Sequence, residues 1–128
     1  IPDISRDQRP AKEALREFTE LIEQYPKSKF APQAKEKFEE ALTQIAGQEL
    51  EIGNYYLEKD QVLAAVGRYR VVTENYHMTP YQEEGLFRLF EAFTLLGLAD
   101  KSEIYFNKLK KLYPTSSWLI KAENIKSF

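Results

Sequence analysis

The chain has 128 residues, of which 43% are hydrophobic and 30% are charged, and it contains no cysteine. This length suffices for one self-contained core, and the hydrophobic fraction is typical of a globular domain. The formal net charge of −2 disfavours nucleic acid as a partner, and the lack of cysteine excludes disulfides and thiol chemistry.

Apolar residues recur at spacings of three and four along almost the whole chain, which predicts an all-α fold. The second helix is predicted to be unusually long, because no strong breaker interrupts its pattern. Gly47 and Gly53 lie inside it and each costs up to ~1 kcal/mol relative to alanine. Gly53 falls where a close helix neighbour needs a small residue, whereas the pattern offers no reason for Gly47. The predicted helices cover residues 10–25, 29–58, 61–75, 80–96, 101–113 and 118–126.

Polar residues precede several of these helices in the pattern of N-terminal caps. Ser28 is the predicted cap of the second helix, and Asp60 is the predicted cap of the third. Thr79 and Gln82 have the spacing of a capping box, which predicts the start of the fourth helix.

Three segments share a small residue, an aromatic, an aliphatic residue and a tyrosine at the same offsets. The tyrosines are 76 − 25 = 51 and 113 − 76 = 37 residues apart, whereas tetratricopeptide repeats (TPRs) have a period of about 34. We therefore predict a single TPR domain over residues 1–128, a helical solenoid with one unit lengthened by the long helix. The segments are Ala14-x3-Phe18-x2-Leu21-x3-Tyr25-Pro26, Ala65-x3-Tyr69-x2-Val72-x3-Tyr76-His77 and Ser102-x3-Phe106-x2-Leu109-x3-Tyr113-Pro114.

The sequence does not predict an enzyme. His77 is the only histidine and lies in an inter-repeat turn, where a general base would also need convergent partners. There is no glycine-rich phosphate loop or nucleophile elbow, and no loop has the ligand spacing of a metal site. We therefore expect no cofactor.

Three aromatic residues fall outside the main apolar stripes and are candidates for an exposed binding patch. They are Tyr55, Tyr81 and Phe87. Exposed aromatics on a scaffold often mark a binding surface, although a single one usually carries no function.

Two arginines, Arg68 and Arg70, flank the predicted core residue Tyr69. The spacing alone favours a solvated residue or an ion pair with a neighbouring glutamate within the chain. The alternative is an interface anchor, because the arginine fork grips a carboxylate with two hydrogen bonds.

Several runs together resemble the BamD (ComL) family, the TPR lipoproteins of the outer-membrane β-barrel assembly (BAM) machine of Gram-negative bacteria. The resemblance extends from about residue 6 to about residue 115. His77 stands where the family usually has proline, a change that is expected to loosen this turn. The runs are Arg6-Asp7-Gln8, Gln44-Ile45-Ala46-Gly47-Gln48-Glu49-Leu50-Glu51-Ile52-Gly53-Asn54-Tyr55-Tyr56-Leu57, Val62-Leu63-Ala64-Ala65-Val66-Gly67-Arg68, Glu74-Asn75-Tyr76, Thr79-Pro80 and Glu91-Ala92-Phe93-x3-Gly97-Leu98.

The resemblance implies a non-enzymatic scaffold on the periplasmic face of the outer membrane. It implies docking on the periplasmic POTRA domains of BamA, with Arg68 as the anchor for a POTRA carboxylate. Other BAM lipoproteins and unfolded outer-membrane proteins are further implied partners. The chain would correspond to the C-terminal part of such a protein, without the first repeats or the N-terminal lipid anchor. The alternative is another periplasmic TPR adaptor of the cell envelope, of the Tol–Pal or division type.

Overall fold

The computed structural model describes residues 8–27, 29 and 31–127, and within these ranges it contains six helices and no strand. The predicted all-helical class is therefore confirmed. The helices are α1 (Arg9–Gln24), α2 (Ala31–Glu58), α3 (Val62–Asn75), α4 (Gln82–Leu95), α5 (Ala99–Leu112) and α6 (Ser117–Lys126).

Each helix from α1 to α5 packs against the next one along the chain, and α6 packs against both α4 and α5. The short connections make consecutive helices neighbours, as expected for helical hairpins. Tyr69, Val72 and Leu89 are fully buried in a first large cluster between α2, α3 and α4. A second cluster joins α4, α5 and α6 around Phe90, Phe106 and Leu119, so α4 contributes to both clusters.

Helix α2 has 28 residues, twice as many as α3, and at 1.5 Å per residue it is about 42 Å long. Its first half packs on α1, where the rings of Phe18 and Phe38 have centroids 4.5 Å apart. Its second half packs on α3 through Ala46 and Leu50. The helix therefore has two neighbours in succession along its length.

The two glycines inside α2 each lie beneath a tyrosine ring. A Cβ atom at Gly53 would be 2.6 Å from Cε1 of Tyr69, and one at Gly47 would be 3.0 Å from Cε2 of Tyr81. Gly53 thus has the packing role that the sequence predicted. The structure also explains Gly47, because the helix continues through it and only a small residue leaves room for the Tyr81 ring.

The prediction that Asp60 caps α3 is wrong. Asp60 has a positive φ of 60° and ends α2 instead. Its N–H donates to the carbonyl of Leu57, and the N–H of Gln61 donates to the carbonyl of Tyr56, which together form a Schellman motif. The same two bonds close α4 around Gly97, whose φ is 74°. The left-handed position, not a side-chain cap, separates the two helices of each hairpin.

The predicted capping box of the fourth helix is also wrong. The hydroxyl of Thr79 donates to the carbonyl of Tyr76 at 2.8 Å, and α4 begins at Gln82 without a side-chain cap. The three residues before it form a turn in which the N–H of Gln82 reaches the carbonyl of Thr79. Ser116 does cap a helix, because its hydroxyl accepts the N–H of Trp118 at the start of α6. Ser28, the predicted cap of α2, lies outside the described residues.

Candidate protein-interaction surface

Arg68 lies on the side of α3 that faces α2 and is held by a buried carboxylate. Its Nη1 donates to Oε2 of Glu49 at 2.9 Å, and Oε1 of Glu49 accepts the side-chain amide of Gln8 at 3.2 Å. The Glu49 side chain is only 8% exposed, whereas that of Arg68 is 42% exposed. A buried carboxylate needs such partners, because an unpaired one would be strongly destabilising. Of the two alternatives that the sequence left open, an intramolecular pair is therefore present.

The ion pair with Glu49 uses only part of the hydrogen-bonding capacity of the Arg68 guanidinium. Arginine has five N–H donors, and within the described residues Arg68 makes a single hydrogen bond, through Nη1. Since the side chain is partly exposed, its remaining donors can reach a ligand outside the chain. Glu49 thus fixes where the guanidinium lies, while the Arg68 side chain as a whole remains partly accessible.

Arg70 belongs to a different surface. It donates from Nε and Nη2 to Oε1 of Glu74, one helical turn further along α3. The hydrogen bond with Glu74, together with its charge, raises the pKa of Arg70. Residues two apart on a helix point about 200° apart, so Arg68 and Arg70 do not form one patch. The structure separates these two predicted partner-binding residues.

Two of the three candidate aromatics are half-buried. Tyr55 packs edge-on against Tyr56, with ring centroids 5.8 Å apart, and Lys59 lies 5.7 Å from its ring centroid. It remains partly accessible near the end of α2. Tyr81 covers Gly47, so much of its ring serves the contact between the α3–α4 connection and α2.

The prediction that Phe87 is an exposed aromatic is wrong. It is only 3% exposed and belongs to the cluster between α4, α5 and α6. Its ring centroid lies 5.2 Å from that of Trp118. Phe87 seemed to lie off the apolar stripe because a single buried face was assumed, whereas α4 is covered by α3, α5 and α6. Its accessible surface is too small for partner binding.

Arg88 is a charged position that sequence reasoning missed. Its Nε donates to Glu84 and its Nη1 to Glu91, each at 3.1 Å, and its guanidinium carbon lies 5.3 Å from the Trp118 ring centroid. Burial lowers the pKa of Arg88, but the hydrogen bonds and charges of Glu91 and Glu84 outweigh it and raise the pKa overall. The glutamates stand four residues before and three after the arginine, a spacing that predicts such pairs on a helix.

Other kinds of site have little support in the part of the chain that the structure describes. No group of three or more potential metal ligands occurs there. Among the described helices, none combines the length and the apolar character that crossing a membrane requires.

The fold and this surface define a helical-hairpin protein whose distinctive side chains are suited to binding. Comparison with known families then identifies it further. The family described as YfiO, outer membrane lipoprotein, matches residues 1–109, and the chain belongs to this family. This membership confirms the prediction of the BamD family from sequence, and with it the prediction that the chain is not an enzyme.

Individual relatives agree with this assignment. The chain is 34% identical to the outer membrane protein assembly factor BamD of Caulobacter vibrioides, over 95% of this chain and 40% of that protein. It is 34% identical to BamD of Rickettsia prowazekii, over 92% of this chain and 47% of that protein. For BamD of Neisseria meningitidis the identity is 29%, over 91% and 44%. The chain therefore spans less than half the length of these curated relatives. None of them favours the alternative of a Tol–Pal or division adaptor.

Proposed function

We propose that this chain is the scaffold segment of a BAM-complex subunit, a TPR solenoid that docks on the POTRA domains of BamA. Three features support the solenoid: the recurring helical hairpins, their repeated left-handed ends at Asp60 and Gly97, and the length of α2. The names of the relatives support a role in outer-membrane protein assembly, since each is called an outer membrane protein assembly factor.

The observation that carries the docking site is the Arg68 side chain, which is partly exposed and held in place by Glu49. Glu49 holds it from the buried side at 2.9 Å, so little side-chain entropy remains to be lost when a partner carboxylate binds. We propose that a POTRA carboxylate accepts hydrogen bonds from the guanidinium N–H groups of Arg68 that do not bond Glu49. Tyr55 is the accessible aromatic candidate of the same α2–α3 hairpin, and Tyr81 contributes only the exposed part of its ring.

In this proposal the full-length protein works on the periplasmic face of the outer membrane, held there by a lipid anchor. Other BAM lipoproteins and unfolded outer-membrane proteins are its further partners. The helical surfaces act as a preformed platform, so binding requires no chemical step and no cofactor.

The test is calorimetric titration of the chain with purified BamA POTRA domains. Truncating a desolvated charge pair costs about 2–5 kcal/mol, so Arg68→Gln is expected to weaken binding by about 30-fold or more. Arg16→Gln is the matched control, because Arg16 is an exposed arginine on α1 whose ion pair, in the described part of the chain, is with the neighbouring Glu13. Its affinity is expected to equal that of the unchanged chain.

A stability measurement must accompany the titration, because Arg68→Gln also leaves Glu49 without its charged partner. The double variant Arg68→Gln with Glu49→Gln removes that buried charge and restores an amide pair. If the double variant folds normally and binds POTRA domains as tightly as the unchanged chain, Arg68 is not the anchor. If the unchanged chain does not bind them at all, the docking proposal itself fails.

A further inference from the structure

A second surface lies on the other side of α3 from Arg68, in a groove between α3 and α5. Its lining consists of Arg70 from α3, Phe93 from α4, and Lys101, Ile104 and Tyr105 from α5, and its volume is about 230 Å³. We call this the α3–α5 groove. Its existence follows from the hairpin order, because α3 and α5 both pack on α4 and leave a channel between them.

The walls of the groove combine a flat aromatic surface with an exposed aliphatic residue. The rings of Phe93 and Tyr105 are stacked, with centroids 5.6 Å apart and planes within 9° of each other. Ile104 beside them is 52% exposed. Phe93 itself is only 6% exposed, so Tyr105 and Ile104 supply the accessible apolar surface of the groove.

The rim is cationic although the whole chain is acidic. Lys101 lies 5.6 Å from the centroid of Phe93, and Lys108 lies 5.3 Å from that of Tyr105. Neither lysine forms an ion pair within the described residues, whereas Arg70 pairs with Glu74. Counting these four charges gives a local net charge of +2, against −2 for the chain. A lysine that packs over an aromatic ring places its ammonium group at the entrance to the apolar floor.

We infer that the α3–α5 groove binds an acidic segment of a protein partner that carries an aromatic side chain. The aromatic would lie against Tyr105 and Ile104, and flanking carboxylates would meet Lys101 and Lys108. Charge complementarity supports an acidic occupant. The aromatic residue at the groove favours a peptide over a membrane surface, which would also present phosphates to Glu74. The inference rests on the proposed scaffold role and adds a second docking surface to it, independent of Arg68.

The test is fluorescence anisotropy with the labelled peptide Gly-Asp-Glu-Phe-Asp-Glu-Gly. Two control peptides replace Phe by Ser, or replace every acidic residue by Lys. Lys101→Glu with Lys108→Glu is expected to weaken binding at least about tenfold, since two attractive charges become repulsive. The matched control is Lys110→Glu with Lys111→Glu, the same charge change in the last turn of α5 outside the groove. Circular dichroism verifies that both double variants are folded.

Support requires binding of the acidic Phe peptide, weaker binding of the Ser peptide, and a loss confined to the groove variant. Equal losses in both double variants would show a general charge effect and overturn the inference, as would equal binding of the Ser peptide. Binding to vesicles of phosphatidylglycerol and phosphatidylcholine, without binding to the peptide, would assign the groove to a membrane surface and overturn it too. POTRA binding that depends on Arg68 is measured separately, so either proposal can fail alone.

Discussion

Gly53 and Gly67 are both helical glycines, and the structure predicts opposite effects when each is changed to alanine. At Gly53 the added Cβ would lie 2.6 Å from Cε1 and 2.8 Å from Cδ1 of Tyr69. At Gly67, in the exposed middle of α3, it would meet no atom within 4 Å. The pair therefore separates intrinsic helix propensity from packing within one hairpin.

Three terms determine the expected change in the free energy of unfolding: helix propensity, which favours alanine, and overpacking and hydrogen-bond strain, which oppose it. Alanine gains up to about 1 kcal/mol over glycine in a helix, and this is the whole effect expected at Gly67. At Gly53, overpacking costs about 1–3 kcal/mol, because Tyr69 is fully buried and its ring cannot swing away. Displacing the ring also strains its 2.6 Å hydrogen bond to Asn54, at a cost of about 1 kcal/mol. Gly53→Ala is thus expected to destabilise the chain by about 1–3 kcal/mol in total.

The assay is urea denaturation of both variants and the unchanged chain, followed by circular dichroism at 222 nm with the slopes compared. The expected order of free energies of unfolding is Gly67→Ala highest and Gly53→Ala lowest. If Gly53→Ala matches or exceeds the stability of Gly67→Ala, the close approach of Tyr69 to α2 is not what requires glycine there.

Three further predictions concern other parts of the fold. Asp60→Gly is expected to raise the free energy of unfolding by about 0.5–1 kcal/mol, because glycine adopts a φ of 60° without strain; thermal denaturation would show no gain if Asp60 were already relaxed. Phe87→Ala is expected to destabilise the chain by about 3–5 kcal/mol in urea denaturation, whereas Tyr55→Ala costs much less; similar losses would contradict the burial of Phe87. Burial raises the pKa of Tyr69 above its ordinary value of 10.0. The contribution of this shift to the free energy of unfolding is therefore fully present below about pH 10 and is lost as the pH rises further. Between pH 9 and pH 11, Tyr69→Phe is therefore expected to lose less stability than the unchanged chain, and an equal loss would refute this assignment.

The helical class was predictable because apolar periodicity is a local signal. Gly53 was predictable too, since it falls where the paired helices of a repeat need a small residue to approach each other. Gly47 was not, because the ring that covers it belongs to Tyr81, 34 positions away in a connection without periodicity. The burial of Phe87 was missed for a similar reason. How many sides of a helix are covered depends on the packing of distant helices.

The helix ends show where local signals compete. Asp60 and Thr79 are both favourable N-cap residues, yet neither caps a helix in the structure. At Asp60 the carbonyls at the end of α2 needed donors, and the left-handed turn supplied them. At Thr79 the hydroxyl found a carbonyl behind it instead of an N–H ahead of it. The partner of Arg68 could not be predicted for another reason. The sequence contains many acidic residues and gives no means of choosing Glu49, which is 19 residues away.

The continuity of α2 has a mechanical consequence. The helix is an uninterrupted rod of about 42 Å, and a rotation of about 10° about Glu49 would displace its α1 end, about 27 Å away, by about 5 Å. Glu49 sits near the point where its two neighbours meet, tied to Gln8 just before α1 and to Arg68 on α3. Such an arrangement works as a lever with its fulcrum at a charged contact. Because Glu49 contacts both Gln8 and Arg68, we expect a displacement of the α1 end to shift the carboxylate that holds Arg68.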